Sequence, residues 1–125
     1  MELVLTARGT RITEQLRAAT QHKLAHLERI EPRLARFEIE IISEKNPRQG
    51  GLHRVQALAA TSREHFRAHA EAREVGSALD VVTERLERQI RDHHERRRAR
   101  RKARAARVES ARVLDSDEED LGDTE

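Results

Sequence analysis

The 125-residue sequence contains no cysteine, tryptophan or tyrosine and only two phenylalanines. Because there is no thiol, disulfide bonds and thiolate catalysis are excluded. Proteins that bind single-stranded nucleic acid usually stack the bases on aromatic side chains, and this chain has almost none to offer. If it binds nucleic acid, we expect the contacts to be with phosphates and with the shape of the backbone.

Long apolar runs are also missing. No stretch approaches the roughly 18 apolar residues that a membrane-spanning helix needs. The short run Leu3 to Leu5 is followed by charge at Arg8 rather than preceded by it, which is not the pattern of a signal peptide. We therefore expect a cytoplasmic protein with no membrane partner.

The usual signatures of catalysis are absent as well. Gly50-Gly51 is not followed by Lys and Ser or Thr, as a phosphate-binding loop would be, and no nucleophile or pair of carboxylates stands in a recognisable catalytic pattern. His22 and His26 have a helical spacing that can hold a metal, but a structural site would need further ligands. We expect no catalytic residue, metal, cofactor or small-molecule substrate.

Charge, in contrast, is plentiful and unevenly distributed. The net charge is only +2, yet residues 94–107 carry +7 and residues 108–125 carry −7. Single-sign blocks of this kind are usually disordered segments or interaction tails. The densest anionic partner available to the basic block is a nucleic-acid backbone. Two alternatives stay open for the free protein: the two blocks attract one another at low ionic strength, or the basic block is a disordered tail.

The hydrophobic pattern predicts an α+β domain with the order β-α-β-β-β-α. Residues 2–7 are a short β-rich run, and residues 36–44, 53–60 and 64–70 alternate apolar with polar residues as half-buried strands do. Helices are predicted over about 13–30, with Thr13 as the N-cap, and from residue 77. Residues 46–51 have the composition of a loop. A four-stranded sheet with both helices packed on one face would bury every apolar stripe.

The second helix is expected to extend into the basic block. Its first half has an apolar stripe, whereas its second half has only alanines between the charges; the stripe consists of Ala78, Leu79, Val82, Leu86 and Ile90. We therefore divide the chain into an α+β domain over residues 1–94 and a basic arm over residues 95–107 that extends the helix. An acidic tail without regular structure follows over residues 108–125.

Short motifs in both helices resemble those of bacterial ribosome hibernation factors, of the ribosome-associated inhibitor A or short hibernation-promoting type. The family patterns are I-T-x-x-L/I-R, K/R-L-A-x-L-E and A-I…L-E-R-Q-L. They correspond here to Ile12-Thr13 with Leu16-Arg17, Lys23-Leu24-Ala25 with Leu27-Glu28, and Ala78-Leu79 with Leu86-Glu87-Arg88-Gln89-Ile90. The resemblance covers about residues 1–94. It implies a fold similar to the double-stranded-RNA-binding domain.

The resemblance also implies a function. Such a protein would bind the small ribosomal subunit near the decoding region, chiefly through its rRNA. There it would block mRNA and A- and P-site tRNA and inhibit translation during stress or stationary phase; free, we expect it to be a monomer. The candidate rRNA-binding residues are those on the two helices and in the arm: Lys23, His26, Arg29, Arg85, Arg88, Arg91, His94, Arg96, Arg97, Arg98, Arg100 and Arg101.

The sequence departs from the family patterns at two places. Glu74-Val75-Gly76 stands where the family has D-M-Y before the second helix, and Asp92 stands where it often has Lys. Two other functions remain alternatives. The protein could bind structured RNA or the nucleoid in general through the basic arm, or it could be an adaptor whose second helix pairs with a partner helix.

Overall fold

The computed structural model describes residues 1–44 and 51–123, with side chains up to residue 111. The elements are β1 (Glu2–Arg8), α1 (Glu14–Ile30), β2 (Arg36–Glu44), β3 (Leu52–Ala60), β4 (His65–Ala72) and α2 (Val75–Asp123). The predicted order β-α-β-β-β-α is confirmed. Most of the predicted loop 46–51 lies outside the described residues.

The four strands form one mixed sheet in the order β1-β2-β3-β4. β1 and β2 are parallel, and α1 makes the crossover that such a pair requires; the other two pairs are antiparallel. β3 and β4 form a hairpin, closed by a hydrogen bond of 2.9 Å from Thr61 N to Glu64 O. After β1 the chain passes so close to Ser43 that only a glycine fits: a Cβ on Gly9, whose φ is 72°, would lie 2.3 Å from the Ser43 carbonyl oxygen.

Both helices pack on one face of this sheet, as the apolar stripes predicted. The alternating residues of the strands, among them Phe37, Ile39 and Val55, are buried in one cluster with Leu24 and Leu27 of α1. The α2 members of that cluster are Ala78, Leu79, Val82, Leu86 and Ile90, the five residues of the predicted stripe. The polar residues between them on each strand therefore form the opposite face of the sheet.

Local signals set the ends of α1. The Thr13 hydroxyl accepts a hydrogen bond of 3.1 Å from the Leu16 N–H, which satisfies one of the unpaired donors of the first turn. Glu14 lies in that turn, where a negative charge is favourable. Past the last turn, the Glu31 N–H bonds to the Leu27 carbonyl, and Pro32 prevents the helix from continuing.

α2 is longer than the pattern predicts at both ends. It begins at Val75 rather than residue 77, with the Ala78 N–H bonded to the Glu74 carbonyl at 3.2 Å. It continues to Asp123, whereas an acidic tail without regular structure was expected from residue 108. The physical reason is that residues 77–121 contain neither proline nor glycine, so no residue interrupts the helix before Gly122. Nowhere in residues 1–44 and 51–123 is a helix apolar for long enough to span a bilayer.

The chain divides into two compact units. Unit 1, Met1–Arg91, contains the sheet, α1 and the first part of α2. Unit 2 begins at Asp92 and contains the rest of α2. The division of the chain into a ribosome-binding domain, a basic arm and an acidic tail, with boundaries after residues 94 and 107, remains a prediction.

Candidate nucleic-acid interface

The surface of unit 1 away from the sheet has a groove between α1 and α2. Four of its residues, His22, Lys23, His26 and Arg29, come from α1 and recur at the three- and four-residue steps that place side chains on one helix face. The α2 side supplies acids at the same spacing. They are Asp80, Glu84 and Glu87, with the buried Thr83 beneath them. One wall of the groove is therefore basic and the other acidic.

Ion pairs join the two walls. Lys23 Nζ lies 2.7 Å from Asp80 Oδ1, and His26 Nε2 lies 3.1 Å from Glu87 Oε2. The other oxygen of Glu87 accepts two hydrogen bonds from Arg91, one turn further along α2, at 2.8 Å from Nη2 and 3.1 Å from Nε. Three predicted rRNA-binding residues, Lys23, His26 and Arg91, are thus brought together, each with a carboxylate partner.

Glu87 is the centre of this network. The hydrogen bonds from Arg91 hold the pKa of Glu87 below its ordinary value, and His26 lowers that pKa further, while partial burial raises it. The net shift is downward, so the carboxylate stays ionised at neutral pH. It therefore accepts hydrogen bonds on both oxygens, from His26 on one and from Arg91 on the other.

Arg85 lies on a different flank of α2. Its guanidinium donates a hydrogen bond to the His69 carbonyl on the edge strand β4, and Gln89 donates one of 2.7 Å to the Arg67 carbonyl on the same strand. These bonds satisfy backbone acceptors that an edge strand leaves unpaired. Arg85 thus contacts the sheet edge through its guanidinium, although its side chain remains exposed to solvent.

Arg29 and Arg88 differ from the paired residues. Both side chains are exposed, and within residues 1–44 and 51–111 neither makes an ion pair. A free guanidinium presents a planar fork of donors that matches two phosphate oxygens. Among the predicted residues of unit 1, these two are the most available to an anionic ligand.

Unit 2 carries the remaining predicted residues. Arg96, Arg98, Arg100 and Arg101 are exposed, whereas His94 and Arg97 are half-buried. Arg96 and Arg100, together with Arg104, recur at four-residue steps and so share one face of the helix. A helix face with guanidinium groups at each turn can follow a run of phosphates.

Sequence reasoning missed the acids of the groove. Lys23 and His26 are three residues apart on α1, and Asp80 and Glu87 are seven residues apart on α2, so each pair could be seen to share one helix face but the two spacings do not match. Which two faces meet depends on how the helices lie on the sheet, and the pattern does not give that. As for metals, no group of three potential ligands occurs in the part of the chain that the structure describes.

Comparison with known proteins identifies the family. The protein-family model described as "Sigma 54 modulation protein / S30EA ribosomal protein" matches residues 3–98 of the sequence. The chain belongs to this family. The match includes all of the sheet except Glu2, both walls of the groove and α2 as far as Arg98, whereas Arg100 and Arg101 lie beyond it. The S30EA family is one of ribosome-associated proteins, and its description names no enzymatic activity.

Two solved structures share the S30EA fold. A ribosomal subunit interface protein from Coxiella burnetii superposes with a TM-score of 0.66 at 21% identity, covering 76% of this chain and 99% of its own. The N-terminal domain of Thermus thermophilus Protein Y gives a TM-score of 0.60 at 21% identity, covering 74% of this chain and 99% of its own. No curated protein sequence matches the chain significantly.

Proposed function

We propose that this protein is a ribosome hibernation factor of the cytoplasm. In this proposal it binds the small ribosomal subunit near the decoding region, blocks mRNA and A- and P-site tRNA, and inhibits translation during stress or stationary phase. The observation that carries the proposal is the match of the S30EA family over the same residues that form the sheet and both helix faces. The fold neighbour described as a ribosomal subunit interface protein supports it.

The chemistry required is binding rather than catalysis. Arg29 and Arg88 offer guanidinium groups that make no ion pair within residues 1–44 and 51–111, and Lys23, His26 and Arg91 add hydrogen-bond donors that phosphates can engage by displacing Asp80 and Glu87. A folded rRNA presents phosphates at fixed positions, which a rigid pair of helices can match. Inhibition then follows from occupying the space of mRNA and tRNA.

Co-sedimentation tests the proposal. We expect the protein to pellet with vacant small subunits at moderate salt and to inhibit translation in a reconstituted system. The variant R29E/R88E should lose both properties, because each substitution places a carboxylate where a phosphate would bind. A matched control is R11E/R63E, which reverses two exposed arginines outside both helices. If the wild-type protein stays in the supernatant, or if both variants bind equally well, the proposal fails.

A general RNA- or nucleoid-binding function is the second candidate. The observation in its favour is the basic helix of unit 2, whose residues 98 and 100–107 are all exposed. Removing residues 95–125 separates the two functions. The hibernation proposal predicts that the remaining domain still reaches the small subunit, whereas a general binder would lose nearly all affinity.

A further inference from the structure

Several basic side chains of the proposed rRNA site already pair with acidic side chains of the same protein. Lys23 is held by Asp80 at 2.7 Å, and Glu87 holds both His26 and Arg91, at 3.1 and 2.8 Å. Asp80 and Glu87 therefore compete with RNA phosphates for these groups, and a phosphate that takes the place of a carboxylate has to break the pair. The inference below rests on the proposed function, since it concerns how the same site selects its RNA.

The charge of the groove gives a single phosphate little attraction. With the histidines counted as neutral, the groove and Arg91 together carry three positive charges, on Lys23, Arg29 and Arg91, against three negative charges, on Asp80, Glu84 and Glu87. A single phosphate that approaches the groove therefore meets no net attraction. Attraction arises only when several phosphates reach the cations together and push the carboxylates aside.

Glu87 couples these displacements. One of its oxygens bonds to His26 on α1 and the other to Arg91 on α2, so both side chains lose a partner when the carboxylate moves. A folded RNA with phosphates at matching positions can replace both contacts at once. An unrelated RNA, which matches one position or none, leaves the carboxylate in place.

The pairs contribute little to holding the helices together. The side chains of Asp80 and Arg91 are 60% and 59% exposed and those of their partners Lys23 and Glu87 are 30% and 24% exposed, so solvent reaches both pairs and each stabilises the fold only slightly. The helices are held instead by fully buried residues such as Leu27, Val82 and Leu86. A purely structural role therefore does not account for the network.

We propose that Asp80 and Glu87 are specificity-determining residues. They pair with the basic side chains of the site and are displaced only by an RNA that offers several phosphates in the right arrangement. The basic helix of unit 2 has no acid between residues 96 and 107. That segment attracts any RNA, so discrimination has to come from another part of the chain. The paired acids of unit 1 supply it.

The test is to neutralise both acids without changing their shape. In the full chain, D80N/E87Q should bind an unrelated 30-base-pair RNA duplex on the order of tenfold more tightly at about 150 mM salt, because the two acids that this RNA leaves in place no longer offset the cations of the groove. Binding to vacant small subunits should tighten by a smaller factor, about threefold or less, because the matching RNA moves these acids aside and is relieved only of the small cost of breaking exposed pairs. The ratio of the two affinities, which measures discrimination, should fall.

A matched control separates pairing from net charge. The variant E28Q/E71Q also removes two exposed acids, one on α1 and one on β4, both outside the groove, and within residues 1–44 and 51–111 neither acid makes an ion pair. It should leave the ratio nearly unchanged. An equal fall in both variants would mean that net charge alone acts, and would overturn the inference.

Two further outcomes count against the inference. If D80N/E87Q melts at a lower temperature and loses affinity for the duplex and for small subunits in parallel, the ion pairs are structural. The single variant D80N, which removes only the pair with Lys23, then tests whether affinity for the duplex changes in a protein that is still folded. If the wild-type protein binds small subunits but the ratio is the same in D80N/E87Q, the inference fails while the proposed function stands. If the wild-type protein does not bind small subunits at all, both fail.

Discussion

The most informative perturbation of unit 2 is to neutralise one face of its basic helix. Arg96, Arg100 and Arg104 recur at four-residue steps and all three side chains are exposed. The triple variant R96Q/R100Q/R104Q removes three charges, and glutamine supports a helix nearly as well as arginine does. We therefore expect the helix to persist while its phosphate contacts are lost.

The expected magnitude follows from counterion release. Each phosphate that a protein neutralises contributes about 0.7 to 0.9 to the slope of log affinity against log salt concentration. If all three guanidinium groups contact phosphates, the slope for binding to small subunits should become shallower by about 2 to 2.7. The affinity of the variant should then fall most at low salt, where the wild-type protein gains most from these contacts.

The assay is fluorescence anisotropy of labelled protein with vacant small subunits, at salt concentrations from about 50 to 300 mM. R11Q/R54Q/R63Q is the matched control, because it removes three exposed arginines outside both helices and so the same total charge. A slope that is the same in the triple variant and the wild-type protein would refute the role of this helix face. A slope that falls equally in both variants would show that net charge, not the face, matters.

Two further predictions concern the fold and the groove of unit 1. Leu86 is fully buried, so L86A should lower the free energy of unfolding by about 2 to 5 kcal/mol in urea titrations. The control V81A, at an exposed position of the same helix, should change the free energy of unfolding by less than about 0.5 kcal/mol. Equal effects of the two variants would contradict the described core. Because the pKa of Glu87 is lowered in the folded protein, its stabilisation is present at neutral pH and is lost as the pH falls through the folded value. E87Q should accordingly be less stable than the wild-type protein by roughly 0.5 kcal/mol at pH 7, and the difference should shrink below about pH 4; a difference that grows on acidification would contradict the pairing.

The fold followed closely from local patterns. The alternation of Phe37, Ile39 and Ile41 predicted a strand with one buried face, and Thr13 marked the start of α1. Both signals act over a few residues, so they can be read from the chain directly. The extent of α2 was harder to predict, since a charged segment without proline or glycine is compatible with a helix or with disorder.

The site was only partly predictable, because its contacts depend on how elements pack. Lys23, His26 and Arg91 were predicted as rRNA-binding candidates, but their contacts with Asp80 and Glu87 were not predicted. Arg85 was predicted to face RNA, and its bond to the His69 carbonyl depends on β4 being the edge strand beside α2. No local pattern carries that information.

An image of the protein bound to a vacant small subunit, at a resolution that distinguishes helices from the sheet, tests the central claim most directly. The account predicts that the protein lies near the decoding region with α1 and the first part of α2 against rRNA, and with Arg29 and Arg88 at phosphates. Density at another place on the subunit, or contact through the opposite face of the sheet, would contradict it.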